Sequence, residues 1–536
     1  MNHVTINPHR YTKSNWQESN SVILQLHVLA ECSKSSLSLH RVDAFQALCK
    51  DVERRALLEF KHGLIDRADQ LASWAGQESE CCRWTGIVCD NITGHVHRIH
   101  LRGFGGYCRV FDYTTSKEYD EISKRRLGGE IRPSLLNLKK LEYLDLSCND
   151  FSEINVPSFI GSLQNLKYLN LSSSRFGGII PPQIWNLSRL EVLSLGSFYD
   201  DSYGSELTQM LNMRWLSNLH LLRHLDMSGV DLSEGGDWLQ VINTLPFLEE
   251  LHMSNCLLTN VYHHVSRLNL TSLSLLDISN NFFENTSIPQ WLFSISSLVS
   301  LDLSQCNFHG HIRSSMISFR NLTSLEVLHV SGNDFINSSL VLKELSSIGS
   351  NLISLEIQSC GLTSSVLASL HNLTSLQSLD MSQNQLSKRI PKSFGYLCNL
   401  RRIDLSGNKF QNMSFTSLLE SILQCKSPRV ESLSLVYSGL SGHLPDSSIG
   451  RLSFLRSLSI KENEISGSIP NSIGQLSSLE TLDLSDNQLN GSLPDSLGVL
   501  SNLTFLDLSY NLLTGVVTQA HFKKLDRLRV LRATGN

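Results

Sequence analysis

Hydrophobic residues recur along most of this chain at a fixed spacing, most clearly between Leu479 and Asn511. In that stretch leucine-type residues occupy positions 1, 4 and 6 of a unit and asparagine occupies position 9, and the pattern restarts at Leu503. Such a unit predicts a short strand whose leucines stack on the next copy, while the asparagine turns the chain and bonds neighbouring backbone. Because one unit alone buries almost no apolar surface, the pattern predicts an elongated α/β solenoid of stacked repeats.

The units begin at a leucine-type residue every 24 or 25 residues over most of the span from Leu141 to Leu528. This period lies within the range of roughly 20 to 29 residues that is typical of leucine-rich repeats. A 32-residue step after Leu190 and a 30-residue step after Leu400 predict loops that project from the stack. Of the two, the loop at 199–214 is the better functional candidate.

Position 9 is filled by asparagine in most units and by cysteine in three others, namely Cys256, Cys306 and Cys360. A small buried thiol fits such a column, so we interpret these three as structural free cysteines. Cys398 and Cys425 lie in adjacent units, where either a bridge or two free thiols is possible. Cys32, Cys108 and Cys148 are left unassigned.

Two segments fall outside the repeat pattern, residues 1–45 and residues 103–126. The second follows a first strand near Val96 and is a charged insertion. In the first, polar residues interrupt the apolar run from Val22 to Ala30, unlike the unbroken core of an export signal. Two interpretations of residues 1–45 stay open, a degraded leader and a disordered tail.

An amphipathic helix is predicted after Lys50, with Asp51 as its N-cap. Its apolar face is expected to carry Val52, Ala56, Phe60 and Leu64. Such a face covers the open end of a repeat stack.

Four cysteines accompany this helix, at Cys49, Cys81, Cys82 and Cys89. Their spacing differs from the Cys-x-x-Cys and Cys/His patterns of zinc sites and predicts two disulfides. Three pairings are possible; we favour Cys49–Cys81, which ties the helix, and Cys82–Cys89, which closes a short loop. Disulfides indicate an oxidising compartment.

The formal net charge of -5 at pH 7 leaves no basic excess to meet a phosphate backbone. The sequence has no block of Lys and Arg and no interleaving of basic and aromatic residues, so no nucleic-acid partner is expected. No stretch approaches the roughly 20 apolar residues that span a bilayer. We therefore expect no membrane span within this chain.

Acceptor sites for N-glycosylation agree with export. They lie at Asn91, Asn170, Asn186, Asn269, Asn285, Asn321, Asn337, Asn372, Asn412, Asn490 and Asn502. Asn186, Asn269, Asn321 and Asn372 each precede the first leucine of a unit by four residues and so form a column on the solenoid wall. The column predicts a glycan stripe; the alternative is that Asn-Leu-Ser/Thr is turn chemistry before the strand.

Positions 3, 5, 7 and 8 of each unit are not needed for the core and are expected on the concave face of the sheet. Position 5 carries a row of acids, usually with serine at position 7: Asp145, Asp226, Asp277, Asp302, Asp380, Asp404, Asp483 and Asp507. We favour a scaffold motif, in which aspartate and serine satisfy neighbours across the sheet, over an acidic ligand-binding ladder. Adjacent like charges repel unless they are satisfied.

Large side chains that interrupt this row are better candidates for ligand binding, because aromatic residues carry disproportionate binding energy. One group lies toward the N-terminal end and contains Tyr143, Tyr168, His224 and His252. The other contains Tyr437, Lys461, Phe505, Tyr510 and Arg532. The hypothesis is that one of these groups contacts the ligand or partner.

The sequence predicts no enzyme, no metal site and no cofactor. A Gly-x-Gly-x-x-Gly loop followed by a catalytic His-Arg-Asp motif is absent, which excludes a kinase within this chain. His97 and His100 are three residues apart on a strand and point to opposite faces, which favours a surface cluster over a metal site.

The cap residues carry a family resemblance. They run Cys49-Lys-Asp-Val-Glu-Arg-Arg-Ala-Leu-Leu-Glu-Phe-Lys, then Leu71-Ala-Ser-Trp74, then Cys81-Cys82-Arg-Trp84-Thr-Gly86-Ile-Val-Cys89. This run resembles the N-terminal cap of plant extracellular leucine-rich-repeat receptors. The repeat endings point the same way, in Gly178-Ile-Ile-Pro181, Gly467-Ser-Ile-Pro470 and Gly491-Ser-Leu-Pro494. Residues 237–256 look like the receptor-like-protein branch that includes the fungal xylanase-elicitor receptors.

The resemblance implies a plant-type leucine-rich-repeat superhelix with an unassigned leader at 1–45, a cap at 46–91 and repeats at 92–536. It implies an extracellular or plasma-membrane recognition ectodomain that binds a peptide, glycan or microbial protein and signals through co-receptor kinases in defence or development. Two alternatives stay open: a soluble secreted inhibitor or decoy resembling polygalacturonase inhibitors, and a partial copy of a receptor kinase. Such receptors continue beyond the repeats, whereas this chain stops at position 9 of a repeat, so we expect its last strand to fray or self-associate.

Overall fold

The computed structural model describes residues 48–75, 80–103, 121, 123–197, 208–259, 267–283, 287–309, 319–335, 351–387, 390–410 and 413–536. Contacts divide the chain into an N-terminal unit, residues 1–152, and a C-terminal unit, residues 153–536. The segment 1–45 and most of the segments 103–126 and 199–214 lie outside the described residues.

The N-terminal unit contains helix α1 at Asp51–Gly63 and 3-10 helices at Cys81–Arg83 and Pro133–Asn137. Its strands are β1 (Leu64–Ile65), β2 (Ile87–Cys89), β3 (Val96–His100), β4 (Gly128–Gly129) and β5 (Tyr143–Asp145). Strand β1 pairs antiparallel with β4, and β2 pairs antiparallel with β3. The parallel pair β3–β5 begins the repeat sheet of this unit.

The predicted apolar face of α1 is partly wrong. Ala56 and Phe60 are buried as predicted, whereas Val52 is 55% exposed and Leu64 lies in β1, beyond the end of the helix. Glu53 and Leu57 complete the buried face. The buried face of the helix is rotated from the predicted one because the buried Glu53 carboxylate accepts a hydrogen bond from the Val96 amide at 2.8 Å. The expected cap also differs, since the N-cap residue is Lys50 and no side chain caps this end.

Both predicted cap disulfides are confirmed. Cys49 is bonded to Cys81 and Cys82 to Cys89, with Cα atoms 5.6 and 5.4 Å apart respectively. These thiols are therefore consumed as disulfides and are not metal ligands. Cys148, which the sequence left unassigned, is disulfide-bonded as well.

An aromatic cluster fills the cap. The rings of Trp74 and Trp84 stack with centroids 5.5 Å apart, and Phe60 packs against Trp74 at 6.4 Å. The Trp74 indole donates a hydrogen bond to the carbonyl of Thr85 at 2.9 Å, so its one polar group is satisfied although the side chain is buried.

The C-terminal unit contains a parallel sheet in which every described strand supplies three residues. These strands are β6 (Tyr168–Asn170), β7 (Val192–Ser194), β8 (His224–Asp226), β9 (Glu250–His252), β10 (Leu275–Asp277), β11 (Ser300–Asp302), β12 (Val327–His329), β13 (Ser354–Glu356), β14 (Ser378–Asp380), β15 (Arg402–Asp404), β16 (Ser432–Ser434), β18 (Ser457–Ser459), β20 (Thr481–Asp483), β22 (Phe505–Asp507) and β24 (Val530–Arg532). Neighbours pair in register, so each repeat position forms a column across the sheet.

A second parallel sheet forms where the glycine-containing repeat endings lie. Its strands are β17 (Ser441–His443), β19 (Glu464–Gly467), β21 (Gln488–Gly491) and β23 (Leu512–Leu513). The described helices of this unit are α2 (Trp238–Ile242), α3 (Phe415–Ile422) and α4 (Asp446–Ile449). Helix α3 lies in the 30-residue step after Leu400, where a projecting loop was predicted; that prediction is wrong, because the apolar face of α3, including Phe415 and Leu418, is buried in the stack. Between strands the chain forms 3-10 helices at Ser158–Ser162, Pro182–Asn186, Arg214–Asn218, Gln290–Ser294, Phe319–Asn321, Ser364–Asn372, Lys392–Tyr396, Asn471–Gln475, Asp495–Val499 and Gln519–Phe522.

The position-9 asparagines form the internal hydrogen-bond ladder that the sequence predicts. Asn281 is representative: its Nδ2 donates to the carbonyl of Met253 in the preceding repeat at 2.8 Å. Its Oδ1 accepts from the amide of Leu258 at 3.0 Å. Buried backbone groups between repeats are thereby satisfied from inside the stack.

The three position-9 cysteines take the asparagine's place, as predicted. The Cys256, Cys306 and Cys360 thiols are free and buried, and they donate to carbonyls of the preceding repeat at 3.1, 3.2 and 3.3 Å. Burial raises the pKa of the Cys360 thiol to about 12. A thiol in this state is a poor nucleophile and a poor metal ligand, which supports a structural role.

Cys398 and Cys425 form a disulfide, which resolves the alternative that the sequence left open. It joins the 3-10 helix at Lys392–Tyr396 to the end of α3, across 27 residues of sequence. The bridge therefore fastens the longer repeat to its predecessor.

Candidate functional site

The candidate binding surface is the face of the repeat sheet that carries positions 3 and 5. In the repeat strands before β24 the central position-4 residue is buried in the core, for example Leu225, Leu251 and Leu276, whereas Leu531 of β24 is 48% exposed. The two neighbours of the central residue point to the other face, because successive side chains alternate along a strand. They are half-buried at most strands, and so form columns of side chains that the core does not use.

The acidic row at position 5 has the predicted scaffold character, but the bond that all eight aspartates share runs along the chain and not across the sheet as predicted. In all eight units named above, aspartate Oδ1 accepts a hydrogen bond from the amide of the position-7 residue, at 2.8 to 3.1 Å. The bond runs along the chain to the residue two positions later, so these carboxylates are occupied in shaping the turn after each strand.

Tyr143 lies in the N-terminal unit, on β5. The Arg98 guanidinium lies 4.3 Å from the centre of its ring, a distance suited to a cation–π contact. Beside it, His100 Nδ1 is 3.1 Å from Asp145 Oδ2. Burial acts to raise the pKa of Asp145, but hydrogen bonds from His100 and Ser147 lower it below its usual value.

Tyr168 lies in the C-terminal unit, on β6. Its hydroxyl accepts a hydrogen bond from Asn170 Nδ2 at 3.2 Å, and Asn170 Oδ1 accepts from the Ser172 amide at 3.0 Å. The Asn170 side chain is thus hydrogen-bonded on the candidate binding surface. The four residues of the predicted glycan column, in contrast, are exposed: Asn186, Asn269, Asn321 and Asn372. The acceptors Asn285, Asn337 and Asn412 lie outside the described residues.

His224 and His252 come together on adjacent strands around a glutamate that sequence reasoning missed. His224 Nδ1 lies 2.8 Å from Glu250 Oε2, and His252 Nε2 lies 3.9 Å from the same oxygen. Hydrogen bonding to His224 and then to His252 lowers the pKa of Glu250 strongly. Burial acts to lower the pKa of His252, but Glu250 and the charges of Asp226 and Asp277 raise it.

A buried histidine, His329, lies between two acids on the neighbouring strands. Its Nδ1 is 3.6 Å from Asp302 Oδ2 and its Nε2 is 3.4 Å from Glu356 Oε1. Although burial acts to lower the pKa of His329, Asp302 and Glu356 raise it. Burial raises the pKa of Glu356.

The predicted C-terminal group contains separate contacts. The Arg532 guanidinium lies 5.6 Å from the centre of the Phe505 ring and 3.7 Å from Asp507 Oδ2. Lys461 Nζ lies 3.3 Å from Glu462 and 3.9 Å from Asp486. Phe505 and Arg532 therefore form one local patch, and Lys461 belongs to another.

Tyr437 and Tyr510 occupy position 8, the residue after each strand that turns the chain. Both have positive φ, 50° and 52°, and their side chains are 69% and 58% exposed. The same position is Gly229, Gly332 and Gly407 in other repeats, also with positive φ. A large aromatic residue is disfavoured in this conformation, so the scaffold alone does not account for either tyrosine.

Glu250, His329 and Glu356 are the face residues that sequence reasoning overlooked. A signal was present, because His329 and Glu356 replace aspartate at position 5, as His252 does. Glu250 stands at position 3, directly across from His224 in the strand register.

Family models match both parts of this architecture. The leucine-rich-repeat N-terminal domain matches residues 50–90, and the leucine-rich repeat matches residues 136–197, 350–410 and 428–489. The chain therefore contains a leucine-rich-repeat N-terminal domain and leucine-rich repeats. The predicted solenoid with a disulfide-bonded N-terminal cap is confirmed.

Its relatives are plant receptor-like proteins, as the cap resemblance predicts. Receptor-like protein EIX1 of Solanum lycopersicum is 36% identical over 294 residues, which are 54% of this chain and 27% of that protein. Receptor-like protein EIX2 of the same plant is 35% identical over 367 residues, which are 67% of this chain and 31% of that protein. The aligned region thus spans less than a third of either relative.

Among solved structures, the fold is similar to the leucine-rich-repeat ectodomain of the Arabidopsis receptor kinase HAESA, solved with a peptide hormone ligand. The TM-score is 0.50 at 22% identity, covering 90% of this chain and 93% of that one. At this identity the likeness shows the fold alone. Within the residues that the structure describes, no helix has the length and apolarity needed to cross a bilayer.

Proposed function

We propose that this protein is an extracellular recognition module of the plant receptor-like type, which binds a peptide or protein ligand on the repeat-sheet face. One observation carries the proposal: Tyr437 and Tyr510 are exposed aromatic residues held at a left-handed backbone position where other repeats have glycine or a smaller, mostly polar residue such as Asn255 or Ser359. The scaffold gains nothing from a tyrosine there, whereas aromatic side chains are prominent in binding interfaces.

The compartment and the kind of partner are supported independently. Three described disulfides suit an oxidising environment outside the cell. The tomato relatives are receptor-like proteins, and HAESA binds a peptide hormone through the same fold. The half-buried columns of side chains on the strand face suit the binding of a peptide or protein, and signalling through partner kinases would follow from the receptor-like class.

The test is a binding screen with the purified, oxidised chain. The chain is immobilised and exposed to fractions of plant extracellular fluid and fungal culture filtrate, and bound peptides and proteins are identified by mass spectrometry. Candidate ligands are then measured against two double variants, Tyr143→Ala with Tyr168→Ala, and Phe505→Ala with Tyr510→Ala. We expect at least one pair to weaken binding by tenfold or more, as expected for hot-spot aromatics (about 1.4 kcal/mol or more).

Unchanged affinity in both double variants would contradict the assignment of this face, provided that both variants melt like the wild type. A polygalacturonase inhibition assay on the same preparation separates the receptor proposal from the inhibitor alternative. We expect no inhibition.

A further inference from the structure

Three side chains on two adjacent strands form a cluster of metal-ligating groups. His224 lies on β8, and Glu250 and His252 lie on β9, where the Cα atoms of His224 and Glu250 are register partners. One ligating atom of each side chain lies within 4.8 Å of the other two. The imidazole rings of His224 and His252 have centroids 5.4 Å apart.

The distances are close to those of a coordinated ion. A metal bound at about 2.0–2.2 Å from each donor, with angles near the tetrahedral value, separates two donors by roughly 3.0–3.6 Å. The observed separations from Glu250 Oε2 are 2.8 Å to His224 Nδ1 and 3.9 Å to His252 Nε2. Small rotations of the side chains bring all three donors to one ion, which takes the place of the proton shared by His224 and Glu250.

The surroundings favour a cation over a bare ion pair. Asp226 and Asp277 are the register partners of His252 on the strands to either side. Ser194 donates to Asp226 Oδ2 at 2.8 Å, and the Ser279 amide donates to Asp277 Oδ1 at 2.9 Å, which fixes both carboxylates beside the cluster. The negative charge of these two carboxylates, on the strands that flank His252, favours a cation at the cluster.

The cluster is also reachable. The side chains of His224, Glu250 and His252 are 27%, 33% and 18% exposed, on the proposed recognition face. Three protein donors leave at least one coordination position open to solvent. Two imidazoles and one carboxylate form a donor set suited to zinc and its first-row neighbours and poorly suited to calcium or magnesium.

We propose that His224, Glu250 and His252 bind a divalent transition-metal ion, zinc in the first instance, with an open position facing solvent. The site is a property of the chain itself and is independent of the recognition function proposed above. A bound metal ion would act as a Lewis acid on this face. Its open position could coordinate a carboxylate or imidazole group of a bound ligand.

The test uses the untagged, oxidised chain, stripped with a chelator and titrated with zinc chloride by isothermal calorimetry. We expect one equivalent to bind with micromolar or tighter affinity. Cobalt(II) at the same site is expected to give visible d–d absorption that zinc displaces. The variants His252→Gln and Glu250→Gln are each expected to weaken zinc binding by at least about tenfold, since metal ligands matter at least as much as their outer groups.

His371→Gln is the matched control, because His371 is exposed on a 3-10 helix and hydrogen-bonds only the carbonyl of Ala368 in its own turn. It should bind zinc like the wild type. Melting curves without metal, unchanged in all three variants, separate loss of the site from loss of folding. Absence of binding by the wild type, or equal affinity in His252→Gln, would show that the cluster is an ordinary ion pair and would overturn the proposal.

Discussion

The side-chain amide of Asn333 donates a hydrogen bond to the backbone carbonyl of Leu303, one repeat earlier, over 2.9 Å. The same nitrogen reaches the carbonyl of Val330 at 2.8 Å, and Asn333 Oδ1 accepts from the amide of Phe308 at 2.9 Å. A single buried side chain thus satisfies backbone groups from two repeats. We therefore expect Asn333 to contribute substantially to the free energy of unfolding.

Replacing Asn333 with alanine leaves these buried groups unpaired. Each such group costs about 1–3 kcal/mol, so we predict a loss of at least about 2 kcal/mol in unfolding free energy, measured by denaturant titration. The control is Asn351→Ala, because Asn351 is exposed and makes one bond to Thr323. Equal effects of the two changes would show that burial of the ladder is not what matters.

The Cys398–Cys425 disulfide closes a loop across 27 residues. Loop entropy predicts that removing it, by changing both cysteines to alanine, costs about 3–4 kcal/mol. The melting temperature should fall, and peptide mapping without reduction should find the linked pair in the wild type. Cys306→Ala is the control for loss of a buried thiol; finding Cys398 and Cys425 reduced in the native protein would contradict the prediction.

We predict that Asp404 makes the free energy of unfolding depend on pH. Burial and the neighbouring Asp380 raise the pKa of Asp404 to about 7. The folded chain therefore binds more protons than the unfolded chain between about pH 4 and 7, and stability falls as pH rises through that window. Asp404→Asn keeps an acceptor for the Ser406 amide, which donates to Oδ1 at 2.8 Å, and removes the charge.

We predict that Asp404→Asn raises the melting temperature at pH 7.5 and has little effect at pH 4.5, a differential on the order of 2 kcal/mol. Thermal melts across this range measure it. Asp226→Asn is the control, since the register partners of Asp226 are Ser194 and His252 and neither is an acid. A pH profile unchanged by Asp404→Asn would refute the assignment.

We predict that Tyr437 lowers the free energy of unfolding and strengthens ligand binding. Its φ of 50° is disfavoured for a bulky residue, and asparagine occupies the same position at Asn255 and Asn280. Tyr437→Asn should therefore stabilise the chain by about 1 kcal/mol and weaken binding of any ligand recovered in the screen. Ser359→Asn, at the same repeat position with φ 54°, should leave binding unchanged. Loss of stability together with loss of binding in Tyr437→Asn would indicate a structural role instead.

The sequence determined the repeat architecture because a periodic pattern of leucine and asparagine admits few other ways to bury its apolar side. It also favoured the observed pairing among the three possible for the cap cysteines, and column position predicted the free position-9 cysteines. The scaffold role of the acidic row was also predicted, although the bond that the aspartates share runs to a residue two positions later along the chain and not across the sheet.

The tertiary structure decided what depends on register between repeats and on rotation of a helix about its axis. Val52 turned outward because Glu53 bonds Val96, 43 residues later. Glu250 met His224 across a 26-residue separation, which one shift in strand register would undo. The Cys398–Cys425 disulfide likewise depends on tertiary structure, because the two cysteines meet only where the 3-10 helix at Lys392–Tyr396 and helix α3 end side by side. Spacing along the chain predicts contacts within a repeat. Contacts between repeats depend on the register of neighbouring strands, which the connecting loops determine.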